Sequence, residues 1–583
     1  MPIRPRVVLV YLALSWSVTQ AFPAQASGAQ APAASPVPSH DQPLYGDYLS
    51  GIVAGGLGDA DTASTRLLDV LRIDPGDSAV RNRAFVFSTL AGRAEAARLA
   101  SQMGGNPMAP LVLGNDAARH GLWSVAQSNY AQVAGSPLND LLRPLLLAWS
   151  QQGAGQTDLA LATLAAPSQI NPIAAGVYAL HAAMIADLAG RRDLADRLYQ
   201  QALTLYPGSD LVFVQSYGSF LARTGRAADG QALVQALVRS LPLLAIAEPG
   251  LDAALPVAPI ASPVQGLSHA FLTIASLIQQ QGPRGREAES FMLRFALDLQ
   301  PGLDPARLLL ADLQNSSDQP QLALASLRLI PESNPLGPVA ALRAGVIGTG
   351  VDSPGSDGHA VARATLQRLV KDFPNRAEPQ QALGDLLQED HHYAEAIAAY
   401  DQAIRLMSPL HGEDWPILFA RATAYDRNAQ WPQAQTDLQH ALQLSPNQPF
   451  LLNYLGYSWV ERKHDLGDAR LMIERALDSK PDDGSIRDSL GWAMVRQNDI
   501  AGAVRELEHA AEQMPEDPTV NFHLGVAYWA AGRKIEARDQ WHWALGLHPE
   551  KRDEARIRAA LRESTRSGGD PVMAADALPP ARP

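Results

Sequence analysis

The sequence predicts an all-α protein, a solenoid of stacked helix–turn–helix units. Three observations predict it. In the C-terminal third the dipeptide Leu-Gly recurs at Leu383-Gly384, Leu455-Gly456, Leu490-Gly491 and Leu524-Gly525, and the last three glycines stand 35 and 34 residues apart. Each Gly is followed by the same order of sizes: a small residue (Ala396, Ala469, Ala503, Ala537), then a large one (Tyr400, Ile473, Leu507, Trp541), then Ala403, Ala476, Ala510 or Ala544. Pro409, Pro481, Pro515 and Pro549 close the units. A fixed period of this length marks a unit that buries its apolar face only against its neighbours.

Composition narrows the function classes. Of 583 residues, 46% are apolar and 18% charged, far too apolar for a disordered chain. The absence of Cys excludes disulfides, a thiol nucleophile and Cys-ligated metal sites. A net charge of −13 argues against a nucleic-acid partner, which needs a basic surface.

The elements follow in order. Arg4 and Arg6 precede an apolar run from Val7 to Val18, and Ala24-Gln25-Ala26 gives an A-x-A pattern. Residues 1–26 therefore read as an export signal, since the run is shorter than the roughly 20 residues a membrane span needs. With only five Lys among 47 basic residues, the composition suggests a GC-rich bacterial genome, and export then means the periplasm. A retained N-terminus would instead mean a cytoplasmic adaptor. Residues 27–43, with Pro32, Pro36, Pro38 and Pro43, read as a linker. No later stretch is long and apolar enough for a membrane span, so no transmembrane segment is expected in the mature chain.

Residues 44–242 form a degenerate repeat block. Gly51, Ala63, Leu67 and Pro75 fit one unit; Leu113-Gly114, Ala126 and Tyr130 another; Ala183, Ala195, Tyr199, Ala202 and Pro207 a third; Tyr217-Gly218, Leu221 and Pro242 a fourth. Residues 243–268, with Pro249, Pro256, Pro259 and Pro263, read as a helix-poor or disordered break. Residues 269–376 resume degenerate repeats, including Ala311, Ala323, Leu327 and Pro335, with insertions at Gly282–Gly285 and Asp352–Gly358. Residues 377–549 hold five well-matched units, the second marked by Ala422, Tyr425, Ala434, Leu438, Ala441 and Pro446. Residues 550–565 read as a polar capping helix that solvates the array's last apolar face, and 566–583 as a disordered tail.

This pattern resembles the tetratricopeptide repeat (TPR), a helix–turn–helix unit of about 34 residues. The resemblance implies a right-handed superhelix of about fourteen units. Gly at the eighth position would let the first helix of a unit approach its neighbours closely. The large residue late in the second helix would fill the gap between units, and Pro would end that helix.

No enzyme signature stands out, so no catalytic, cofactor or metal site is expected. His391 and His392 fall in a turn, and no H-E-x-x-H, phosphate loop or nucleophile elbow occurs. The glycine-rich stretch Gly51–Gly58 lacks the preceding strand of a dinucleotide site. In TPR proteins the first helices line a concave groove, and the resemblance places Phe450, Asn453, Tyr457, Glu461, Asp488, Trp492, Arg496, Phe522 and Trp529 on it. A protein or peptide partner in that groove is the expected ligand. Sugar stacking on the same aromatics, within a polysaccharide or glycosyltransferase complex, is the alternative.

Overall fold

A computed structural model of the chain describes residues 42–566 except 171, 206–209, 281 and 352–355. The expected export signal, the linker up to residue 41, Pro207, most of the second insertion and the tail beyond residue 566 lie outside the described residues. Among the described residues there are 30 α-helices, three short 3-10 helices and no strand. The chain divides into two compact units, residues 1–379 and 380–583. Among the described residues no helix is long and apolar enough to cross a membrane.

In the second unit the helices come in antiparallel pairs: Trp415–Arg427 with Trp431–Leu444, Pro449–Glu461 with Leu466–Ser479, Gly484–Arg496 with Ile500–Gln513, and Pro518–Ala530 with Lys534–Gly546. Their starts are local chemistry. The Asp483 carboxylate accepts the amides of Ser485 and Ile486, and Asp517 those of Thr519 and Val520, satisfying donors that a helix start otherwise leaves open. Their first helices are each followed by a left-handed residue, at Ala429, Lys463, Asn498 and Gly532.

The repeated small and large residues pack as their spacing predicts. Ala396, Ala403, Ala469, Ala476, Ala503, Ala510, Ala537 and Ala544 are all fully buried. A Cβ added at Gly491 would stand 2.5 Å from Leu507 Cγ, and one at Gly384 would stand 2.7 Å from the Tyr400 ring. Glycine is thus required by close approach of the two helices of a unit. The aromatic that fills this place also needs a hydrogen-bond partner. The Tyr400 hydroxyl donates to Asp385 Oδ1 at 2.7 Å, and Trp541 Nε1 donates to the Phe522 carbonyl at 3.2 Å.

The first unit uses the same rule, with Gly51 against Leu67 and Gly114 against Tyr130. It departs from nearest-neighbour stacking, however. Helix Pro263–Gln279 packs on Pro137–Gly153 and Pro172–Leu188, and helix Arg286–Leu299 packs on Ser78–Leu90 and Ala109–Arg119. Gly266 lies against the Trp149 ring, Trp149 Nε1 donates to His181 Nδ1 at 3.0 Å, and His181 Nε2 meets Thr273 Oγ1 at 3.2 Å. Arg119 pairs with Asp298 at 2.6 Å. The expectation of a disordered or helix-poor break at 243–268 is corrected. Pro242–Ala247 is a 3-10 helix and Glu248–Ala254 an α-helix, with Leu244, Ile246 and Leu251 buried. Pro242, Pro249 and Pro263 sit at helix starts, where their missing N–H costs nothing, and Pro256 and Pro259 lie in the non-helical stretch between Ala254 and Pro263. Glu248 pairs with Arg376 at 2.8 Å, which ties the segment to the end of the unit.

Candidate partner-binding site

The nine groove residues do not share one fate. Tyr457 and Glu461 come from helix Pro449–Glu461, Asp488, Trp492 and Arg496 from Gly484–Arg496, and Phe522 from Pro518–Ala530. These six meet in one buried cluster, where Trp492 is 1%, Tyr457 3% and Phe522 3% exposed. Trp492 Nε1 donates to Glu461 Oε1 at 2.5 Å, and the Arg496 guanidinium stands 3.7 Å from the same oxygen and 4.4 Å from the Trp492 ring centre. Asn453 lies on the same helix as Tyr457, half-buried, with its Oδ1 buried and without a hydrogen bond. Phe450 stays apart from the cluster, and Trp529 packs against its margin, partly buried. Phe450 is 47% exposed under the Lys480 ammonium, and Trp529 packs on Trp541 beside Lys534 and Arg538.

Two members of the cluster were absent from the sequence expectation. His523 stacks on Trp492 with ring centres 4.1 Å apart, and its Nδ1 meets Asp488 Oδ2 at 2.9 Å. Arg556 comes from the terminal helix Lys551–Ser564, is 1% exposed, and reaches Glu461 Oε2 at 3.7 Å and the Phe522 ring at 5.3 Å. The terminal helix also sinks Ile557 and Ala560 completely into the cluster's apolar floor. The helix packs chiefly on Lys534–Gly546, as a cap would, and Arg556 alone reaches back to the first helices of two pairs. The only signal in the sequence was an Arg directly before Ile557 on the helix's apolar face. Burial pushes the Tyr457 hydroxyl well above its ordinary pKa, and the nearby Glu461 and Asp488 carboxylates push it the same way.

Outside this cluster, His391 and His392 sit in the turn and bond Tyr393 and Glu395. Trp541 is fully buried, whereas Trp543 is 55% exposed. The first unit holds a cavity of about 220 Å³ lined largely by Val214, Leu251, Leu255, Leu303 and Leu336, with Asp304 bonded to Asn334 at its edge.

Part of the sequence has a counterpart in a curated relative. Over 138 residues the chain is 34% identical to a TPR repeat-containing protein of Pseudomonas aeruginosa. Over those residues the chain is similar to a tetratricopeptide-repeat protein. That alignment covers 23% of this chain and 23% of the relative, so the chain spans under a quarter of the length of the protein it matches. No protein-family model matches the chain. Solved TPR structures similar to it include YrrB, a TPR protein with an unusual peptide-binding site (18% identity, 33% of this chain, 97% of that one, TM-score 0.26). Yeast Tom70 covers 80% of this chain and 98% of its own at 15% identity and TM-score 0.32, and the Cut9–Hcn1 assembly covers 90% and 96% at 14% and 0.37. The buried cluster joins the first helices of the last three helix pairs and combines apolar with charged members.

Proposed function

We propose that the chain is a non-enzymatic scaffold of the bacterial envelope, exported to the periplasm, whose TPR face holds a protein partner. One observation supports the binding reading: the apolar cluster of the last three helix pairs takes in a further helix, seating Ile557 and Ala560 with Arg556 beside Glu461. Sugar stacking draws no support there, because Trp492 and Tyr457 are almost fully buried. The positive start, apolar run and Ala24-Gln25-Ala26 support export.

The test uses the native full-length chain. Expressed in an export-competent bacterium, it should yield a periplasmic protein whose N-terminal sequence begins at Ser27; an intact Met1 on the native protein would sink the periplasmic reading. Affinity capture of the mature chain from its own envelope fraction should retain a protein at fixed stoichiometry. Recovery of polysaccharide alone would favour the glycan reading instead.

A further inference from the structure

The repeat period breaks within the first unit, and the break builds a cavity. Residues 248–262 leave the helix-pair pattern and lie against the helices Leu211–Arg223 and Ala227–Ser240. Fixed points hold them there. Leu255 sits over two glycines: a Cβ added at Gly218 would stand 2.9 Å from Leu255 Cδ2, and one at Gly230 would stand 3.4 Å from its Cδ1. Gly250 lies against Pro335, whose Cα would stand 3.0 Å from an added Cβ. The Ser219 hydroxyl donates to the Val257 carbonyl at 2.9 Å. This segment supplies Leu251, Ala254, Leu255 and Val257 to the lining of the cavity of about 220 Å³. Val257 is 69% exposed, so the cavity communicates with solvent.

Size and chemistry are those of a ligand site, not of a packing fault. Voids in a close-packed core seldom exceed a water molecule, and a cavity of about 150 Å³ holds benzene. Here there is room for a benzene ring with a short substituent. The lining is mostly aliphatic with a few polar side chains, the composition of small-molecule pockets. Pro259, Pro305 and Pro335 cannot swing in to fill the space, because their rings are tied to the backbone. His269, also on the lining, sets the polar contact. It is 3% exposed, and its Nδ1 stands 2.8 Å from the Gln265 carbonyl, which only accepts, so Nδ1 carries a proton. Burial pushes the ring's pKa below its ordinary value, so the ring is neutral at neutral pH and Nε2 bears a lone pair. Asp304 lines the cavity too, but its carboxylate accepts from Asn334 Nδ2 at 2.6 Å and stands 3.8 Å from Arg307 Nε. A ligand anion would be repelled by that carboxylate, and a cation would compete with Asn334 and Arg307 for it. A neutral ligand fits.

We propose that the first unit binds a small neutral molecule with an apolar body of about benzene size and one hydroxyl group, which donates to His269 Nε2. The residues that break the repeat period are then a wall of this site and not a spacer between repeats. The proposal is independent of the protein-binding reading, which concerns the second unit.

The probes are 4-ethylphenol and ethylbenzene, which share a carbon skeleton and differ by the hydroxyl, titrated calorimetrically into the full-length chain at neutral pH. The phenol should bind saturably and at least tenfold more tightly than ethylbenzene. His269→Phe keeps a ring in place and removes the acceptor. It should weaken the phenol at least tenfold and leave ethylbenzene within about twofold. Ala254→Phe puts a ring into the cavity and should weaken both at least tenfold. Hydrogen exchange on the wild-type chain decides the matter if the variants misfold: saturating phenol should slow the amides of residues 250–258 at least threefold and leave those of Gly484–Arg496 unchanged. The proposal is overturned if the phenol does not bind saturably at millimolar concentration, if ethylbenzene binds as tightly, or if residues 250–258 exchange at the same rate with and without it. Each of these results would leave the envelope capture experiment standing, so the two readings fail separately.

Discussion

At the residue scale, buried titratable groups in the first unit set its response to pH. Glu289 is 3% exposed, its Oε1 makes no hydrogen bond in the structure, and burial, then the Asp312 charge, push its carboxyl up to about 7. The folded state therefore prefers the protonated form more than the unfolded chain does. This contribution is fully present below the ordinary carboxylate range and is lost as pH rises through about 7. Glu289→Gln should raise stability by on the order of 2–3 kcal/mol at pH 8 and leave it nearly unchanged at pH 4, read from urea unfolding at both pH values. An equal effect at both would contradict the assigned burial cost. His181 acts with the opposite sign: burial, then His269, pushes it down to about 3, so its contribution is present above the ordinary histidine range and fades as pH falls. Neither residue could be singled out from sequence. Glu289 lies among the polar residues at a helix start, and its burial depends on what packs against the helix.

At the scale of the element, the helix pairs were legible because local chemistry and period agree. Gly, Ala and Pro recur at fixed offsets, where Gly permits close approach, Ala packs and Pro terminates. Gly491 shows what that agreement costs to break. Its missing Cβ leaves room for Leu507, so Gly491→Ala should destabilise the second unit by about 1–3 kcal/mol, the usual range for overpacking. Glu506→Gln is the control, although Glu506 is not the free surface residue its position suggests: it accepts from Arg487 Nη1 at 2.7 Å. A partly exposed pair of this kind contributes under about 1 kcal/mol, so the control should shift the denaturation midpoint less than Gly491→Ala. Equal shifts would remove the packing role of Gly491. The terminal helix was legible by its ends, Lys551 and Ser564, but not by its docking. Its amphipathic pattern fits a cap, and the reach of Arg556 to a helix two repeats upstream is not encoded in that pattern.

At the scale of the whole molecule, the repeat pattern predicts nearest-neighbour stacking throughout, and the two units differ in how far they obey it. The second unit keeps to it apart from the terminal helix. The first adds contacts far apart in sequence, such as Arg119 with Asp298 and Trp149 with Gly266, which no period encodes because they join residues from unrelated repeat positions. Long-range contacts couple helices into one cooperative block, whereas stacked repeats unfold as a sum of local terms. The two units should therefore lose structure at different denaturant concentrations. The tryptophans make this measurable, because Trp415, Trp431, Trp459, Trp492, Trp529, Trp541 and Trp543 all lie in the second unit, against Trp123 and Trp149 among the described residues of the first. Tryptophan emission should report mainly the second unit, while far-UV circular dichroism reports both. The two urea curves should not coincide, and emission should follow the Gly491→Ala shift while the part of the dichroism transition that belongs to the first unit stays in place. Superimposable curves in wild type and variant alike would mean that the whole chain unfolds as one cooperative body.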